Sequence, residues 1–186
     1  HESLIPALVR ATAGIEFDLD GHVLTANDRF LGGMGYSLAQ IQGKHHRIFC
    51  EPQEYNSAEY ENFWKRLNNG EFVAARFKRV DSHGRVVWLE ATYNPVLDAT
   101  DRLYKVVKFA TVITDQVNQE QAVAEAANIA YSTSLQTDNS AQRGTTVVTQ
   151  AVDVMRDLAK HMQQAGDGIE ALNAQSQVIG TIVKTI

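Results

Sequence analysis

The side chains with most scope for chemistry stand together: His45, His46 and Cys50 fall in one short stretch. Imidazole and thiolate are good zinc ligands, but a structural zinc site needs four such groups, and no second cluster supplies the remainder. No metal site is therefore expected. The histidines, Trp64 and Trp88 form no nucleophile–base–acid pattern, and no glycine-rich phosphate loop occurs. Catalytic residues are not expected, and the chain reads as something other than an enzyme. A neutral imidazole remains a possible axial ligand for iron.

Composition narrows the class. The 186 residues carry 17 Lys and Arg against 22 Asp and Glu, a net charge of −5. That leaves no basic face for nucleic acid. A single cysteine forbids an intrachain disulfide and fits a reducing compartment. No apolar run approaches the ~20 residues needed to span a bilayer, so a cytoplasmic location and no membrane segment in this stretch are expected.

The elements that must position these residues change character near residue 115. All three prolines, all seven phenylalanines and both tryptophans precede it, whereas Ala, Gln, Val, Thr, Asn and Ser dominate after it. The first part has hairpin chemistry. Asp18-Leu19-Asp20-Gly21 separates Gly14–Phe17 from Val23–Ala26, Asp81-Ser82-His83-Gly84 separates Phe72–Val80 from Val86–Pro95, and Asp98-Ala99-Thr100-Asp101 precedes Leu103–Ile113. Two strands, a helical middle and three strands imply an α+β domain with an antiparallel sheet and helices on one face. In the middle, Tyr60, Phe63, Trp64 and Leu67 make an i, i+3, i+4, i+7 stripe that should face the sheet, capped by Asn56 or Ser57 and closed by Gly70. Trp64 on that stripe either lines a pocket or packs in the core. Trp88 alternates with the apolar Val87, Leu89, Ala91 and Tyr93 and so belongs to the outer face.

After residue 115 the most regular signal of the chain begins. Val148, Ala151, Met155, Leu158, Met162, Ala165, Ile169, Leu172, Ser176, Ile179, Val183 and Ile186 are spaced alternately by three and four. Such a heptad seam needs a partner helix, because one helix cannot bury it alone. Upstream, the same register passes through Val123, Ala127, Ala130, Ser134, Thr137, Ala141 and Gly144, mostly small or polar, and predicts looser packing.

Several blocks resemble, in order, the PAS domains of chemotaxis receptors. They are Asn27-Asp28-Arg29-Phe30, Gly35-Tyr36 with Gly43-Lys44-His45-His46, Phe63-Trp64 through Gly70-Glu71-Phe72, Val87-Trp88 through Pro95-Val96, and Lys105–Thr111. Residues 116–186, with Ala141-Gln142-Arg143-Gly144 and Met155-Arg156-Asp157-Leu158, resemble the first helix of a chemoreceptor signalling hairpin. The resemblance implies a PAS fold, a five-stranded antiparallel sheet with helices on one face, followed by a long α-helix forming a coiled coil. It divides the chain into an N-terminal helical cap (1–12), a PAS sensor domain (13–115) and a truncated signalling helix (116–186).

The resemblance also implies a function. The chain would be a sensory fragment of a methyl-accepting chemotaxis receptor of the soluble aerotaxis or biofilm-dispersal type. Its PAS domain would sense a small ligand, redox state or oxygen. The implied partners are a second copy, through the PAS domain and the coiled coil, and a chemotaxis kinase with its coupling protein at a hairpin tip beyond Ile186. The alternatives are a ligand-free PAS dimerisation module, or the PAS–coiled-coil segment of a sensor kinase or cyclase. For cofactors the family suggests haem b, with His46 as iron ligand, and FAD; His46, Trp64 and Asn27 are the candidate binding residues. Where flavin-binding relatives carry an Arg-His-Pro-Asp stretch, this chain reads Cys50-Glu51-Pro52-Gln53. Where PAS domains often end in Asp-Ile-Thr, it reads Val112-Ile113-Thr114, without the usual acid unless Asp115 substitutes.

Overall fold

The computed structural model describes residues 4–186; His1, Glu2 and Ser3 of the expected cap lie outside the described residues. It contains two units, one running to Val123 and the other from Ala124 to Ile186.

In the first unit, helix α1 (Leu4–Ala11) leads into strand β1 (Ala13–Phe17) and strand β2 (Val23–Ala26). A helical middle follows: α2 (Asp28–Met34), α3 (Leu38–Ile41), a 3-10 turn (His46–Phe49), α4 (Pro52–Tyr55) and α5 (Ala58–Asn68). Strands β3 (Val73–Val80), β4 (Val86–Leu97) and β5 (Leu103–Val112) complete the domain. All pairings are antiparallel, in the order β2-β1-β5-β4-β3, so the last strand lies in the centre. The expected strands and the expected fold class are therefore present.

The alternation of side chains decides which face is covered. Ile15 and Phe17 on β1, Val87, Leu89, Ala91 and Tyr93 on β4, and Val106 and Ala110 on β5 are buried. The helices cover this face with Phe30, Met34, Ile41, Phe49, Tyr60 and Leu67. Each large apolar side chain enclosed here contributes roughly 1.5–3 kcal/mol relative to exposure. Ser57, rather than Asn56, caps α5, its hydroxyl accepting from the Tyr60 amide at 3.2 Å. The short helices before α5 satisfy their ends locally. Asn27 caps α2, and Ser37 and Gln40 form a capping box on α3.

Only Ile113 separates β5 from helix α6 (Thr114–Thr185). The Ile113 amide donates to the Trp88 carbonyl at 2.8 Å, and the Trp88 amide donates to Thr114 Oγ1 at 3.0 Å. Val117 is buried against the domain. Asp115 forms no ion pair among the described residues; Glu120 does, accepting from both terminal nitrogens of Arg76 on β3 at 2.8 and 3.4 Å. The ion pair nearest this junction is thus made by Glu120, in the second turn of the helix, and not by Asp115.

The second unit is helical up to Thr185 and continues through Gly144, Gly166, Gly168 and Gly180. Its seam is in solvent: Leu158, Ile169, Leu172 and Val183 are 57–66% exposed.

Candidate functional site

The interior between sheet and helices is not uniformly apolar. His46, Arg79 and Lys108 are all at most 1% exposed. The His46 amide donates to the Gly21 carbonyl at 2.8 Å, which fixes the start of the 3-10 turn against the β1–β2 hairpin. The ring then reaches inward, with Nδ1 2.8 Å from the Tyr60 hydroxyl and Nε2 2.9 Å from the Tyr93 hydroxyl. Phe17, Phe49, Phe63 and Trp64 surround it at centroid distances of 5.2–6.2 Å.

Burial, together with the positive charges of Arg79 and Lys108, holds the His46 imidazole well below its usual pKa, so it is neutral. A neutral ring donates from one nitrogen and accepts at the other. Arg79 Nη2 also donates to the Tyr93 hydroxyl, at 3.3 Å. Burial pushes the Tyr93 phenol up to about 12 and the Cys50 thiol up to about 11. The thiol, 3.6 Å from Nδ1, is a weak polar neighbour and not a nucleophile.

Arg79 enters from β3. Its Nη1 donates to both carboxylate oxygens of Glu54, at 2.8 and 3.1 Å, and to the Lys78 carbonyl at 2.7 Å, while the guanidinium lies 4.8 Å over the Phe77 ring. Lys108 enters from β5, where it is the cross-strand neighbour of Ile15 and Tyr93. Its Nζ lies 4.8 Å from the Tyr93 ring centroid and 5.7 Å from that of Phe30.

The three candidate residues occupy different situations. His46 is at the centre of the network. Trp64 is half-buried at the rim of a surface groove of about 460 Å³ that also includes His45, Tyr60 and Asp20. The Trp64 indole N–H is enclosed and meets no acceptor in hydrogen-bonding geometry, although the Tyr60 hydroxyl is near enough to feel it. Asn27 is a staple. Its Oδ1 accepts from the Gly14 and Phe30 amides at 2.9 and 3.0 Å, and its Nδ2 donates to the Val9 and Thr12 carbonyls at 3.0 and 2.7 Å. Two acceptor positions and two donors are all a carboxamide has, so Asn27 joins α1, β1 and α2 with nothing left over.

These residues, as arranged, do not fit haem or flavin. Both His46 nitrogens are engaged by tyrosine hydroxyls, and the space beside the ring is filled by aromatic side chains. An iron ligand would have to give up one of those bonds, and a planar cofactor would have to displace that aromatic cluster. Among the described residues no group of three or more His, Cys, Asp or Glu is placed to hold a metal ion, and no helix is long and apolar enough to cross a membrane.

Sequence reasoning finds His46 but not its partners. Tyr60 is readable only as part of a helical stripe and Tyr93 only as part of an apolar strand face. Arg79 and Lys108 escape it altogether. The available signal is their strand parity, shared with Phe77 and with Val106 and Ala110.

Comparison with known proteins places this arrangement. Residues 23–110 match the PAS fold family. The whole chain is 45% identical, over 185 residues, to the biofilm dispersion protein BdlA of Pseudomonas aeruginosa and spans 44% of that protein. A stretch of 108 residues, 58% of the chain, is 27% identical to the aerotaxis receptor of Escherichia coli and covers 20% of it. The chain therefore spans less than half the length of either relative. Among solved structures, an RNA-binding light-oxygen-voltage receptor superposes with a TM-score of 0.55 over 70% of this chain and 37% of that one, at 19% identity. A light-oxygen-voltage domain studied with a flavin analogue gives 0.54, over 68% of this chain and 96% of that one, also at 19% identity. The five-stranded antiparallel sheet, its helical cover and the match over residues 23–110 show that this part of the chain has the PAS fold.

Proposed function

We propose that this chain is the sensory part of a methyl-accepting chemotaxis receptor, a non-enzymatic protein in the cytoplasm. The interior of its PAS domain would set how α6 packs against a second copy. Similarity along the whole chain to a biofilm dispersion protein, and over part of it to an aerotaxis receptor, supports the receptor assignment. The observation that carries the relay is the heptad seam of α6, apolar from Val148 to Val183 except at Ser176 and exposed in the single chain. Val147, Val152, Val154 and Ile182 flank it and are exposed too. A stripe wider than a two-helix seam favours burial in a multi-helix bundle. A kinase and its coupling protein would act at the hairpin tip that this helix approaches.

Signal transfer requires two helix arrangements separated by a small free energy, typically about 1–3 kcal/mol. The small and polar positions between Val123 and Gly144 are where such alternatives cost least. Cysteine cross-linking tests the pairing. Cys50 is buried, so a Leu158→Cys chain should form an intermolecular disulfide through residue 158 alone, and sedimentation should show a dimer. A chain that stays monomeric at high concentration, with the introduced thiol uncoupled, rules the relay out.

A further inference from the structure

Glu120 is not the only carboxylate within reach of Arg76. Arg76 on β3 and Glu90 on β4 stand directly opposite each other in the sheet, and the side chains of such a cross-strand pair share one face with Cβ atoms about 5 Å apart. Glu90 is exposed and makes no ion pair or hydrogen bond among the described residues. The Arg76 guanidinium is held above the ordinary arginine pKa chiefly by the hydrogen bond and charge of Glu120, and further by the charge of Glu90. Arg76 and Glu90 also line a depression of about 390 Å³ on the outer face of the sheet, together with Ala74, Thr92 and Phe109 but with no residue of α6. The guanidinium therefore has room to turn from the helix towards its neighbour strand. On the helix side, the first turn of α6 is anchored, since Thr114 Oγ1 accepts from the Trp88 amide and Val117 is buried. Among the described residues Val117 is the only buried side chain of α6. The second turn is held by charge: Gln116 Nε2 donates to Glu120 at 3.0 Å and orients it towards Arg76, in an ion pair whose side chains are 42% and 50% exposed.

We propose that Arg76 is a two-position clasp on the start of α6: turned to Glu120 it holds the second turn of the helix against the sheet, and turned to Glu90 it frees that turn, so that the helix tilts about Val117. Each position keeps one guanidinium–carboxylate pair, and the carboxylate left over is in water. Exchange between them therefore strands no charge, and because exposed pairs contribute little, the two positions lie close in free energy. Nearly balanced alternatives are what a small input can shift. The inference deepens the relay reading above, naming a contact at which the helix changes position.

The test is amide hydrogen exchange in the whole chain at low ionic strength, read at residues 118–123, with the amides of β3 and β4 as internal reference. A freed second turn frays, so its amides exchange through the lifted form. Glu90→Gln removes the competing acceptor and should slow exchange at 118–123 by roughly 1.5- to 5-fold, the range that an exposed ion pair supports, while the sheet amides stay as in the parent. In an Arg76→Ala chain the clasp is gone, and the slowing caused by Glu90→Gln should fall to less than half. A slowing of less than about 1.5-fold, or a quickening, overturns the proposal, because Glu90 is then a bystander to a fixed pair. So does a slowing that keeps half or more of its size without Arg76, which would come from repulsion between Glu90 and Glu120. A chain that obeys these charges but never dimerises keeps the clasp and removes the relay; a chain that dimerises but ignores Glu90→Gln does the reverse.

Discussion

Tyr93→Phe is the sharpest probe of the buried network. It removes one oxygen and no packing volume of note, yet strands two groups: His46 Nε2, 2.9 Å away, and Arg79 Nη2, 3.3 Å away. An abandoned buried donor or acceptor costs about 1–3 kcal/mol, and the Arg79 bond is long, so the expected loss is about 2–4 kcal/mol. Tyr60→Phe strands only His46 Nδ1, which keeps the Cys50 sulfur at 3.6 Å as a weak substitute; about 1–2 kcal/mol is expected there. Both tryptophans lie in the PAS domain, so urea unfolding followed by tryptophan fluorescence reports this domain without interference from α6. At roughly 4 °C per kcal/mol for a unit of this size, Tyr93→Phe should melt about 8–16 °C below the parent. In a His46→Leu background, part of that penalty should vanish, because one stranded group is already gone. A Tyr93→Phe domain within about 0.5 kcal/mol of the parent, or a penalty unchanged by His46→Leu, would refute the network.

Three further expectations follow from the same geometry. The folded state keeps His46 neutral while the unfolded chain protonates it near the usual histidine pKa of about 6.5; the unfolded state then binds more protons, so stability should fall as pH drops below that value, by up to about 1.4 kcal/mol per pH unit, and subtracting the His46→Gln profile from the parent's should isolate this slope. Gly21 has φ +87°, and a Cβ there would lie 2.9 Å from His45 Nε2 and 3.0 Å from the Trp64 ring; Gly21→Val should cost about 1–3 kcal/mol and alter Trp64 fluorescence, whereas Gly43→Val, with φ +76° and open space around it, should leave that fluorescence alone. Arg76→Ala should leave the midpoint of domain unfolding nearly unchanged, since exposed ion pairs contribute little, while hydrogen exchange in the first turns of α6, up to Val123, should quicken.

The parts of this fold legible in the sequence are those set by neighbours along the chain. Two Asp-x-x-Gly turns and Asp98-Ala99-Thr100-Asp101 locate the hairpins, and Tyr60, Phe63, Trp64 and Leu67 betray α5 because helical spacing brings them to one face. The short helices α2 to α4 are harder. Each is a turn or two held by caps such as Asn27 and Ser37, too brief for a periodic signal. The polar interior is hidden for another reason. His46 meets Tyr60 and Tyr93 across 14 and 47 residues, and no local pattern encodes a contact at that distance. Lys108 sits in Leu103–Val112, where both alternating sets are largely apolar, so parity alone cannot say which face is inner. Asn27 is noticeable for its place in a family motif, but its work as a four-way staple appears only when α1, β1 and α2 are assembled.

The central position of β5 has a mechanical consequence. A strand laced to neighbours on both edges, β1 and β4, cannot slide lengthwise without unzipping two ladders at once. The cheap deformation left to it is a change of twist, so in the relay proposed above the joint at Ile113 would pass torque to the following helix, turning it instead of pushing it.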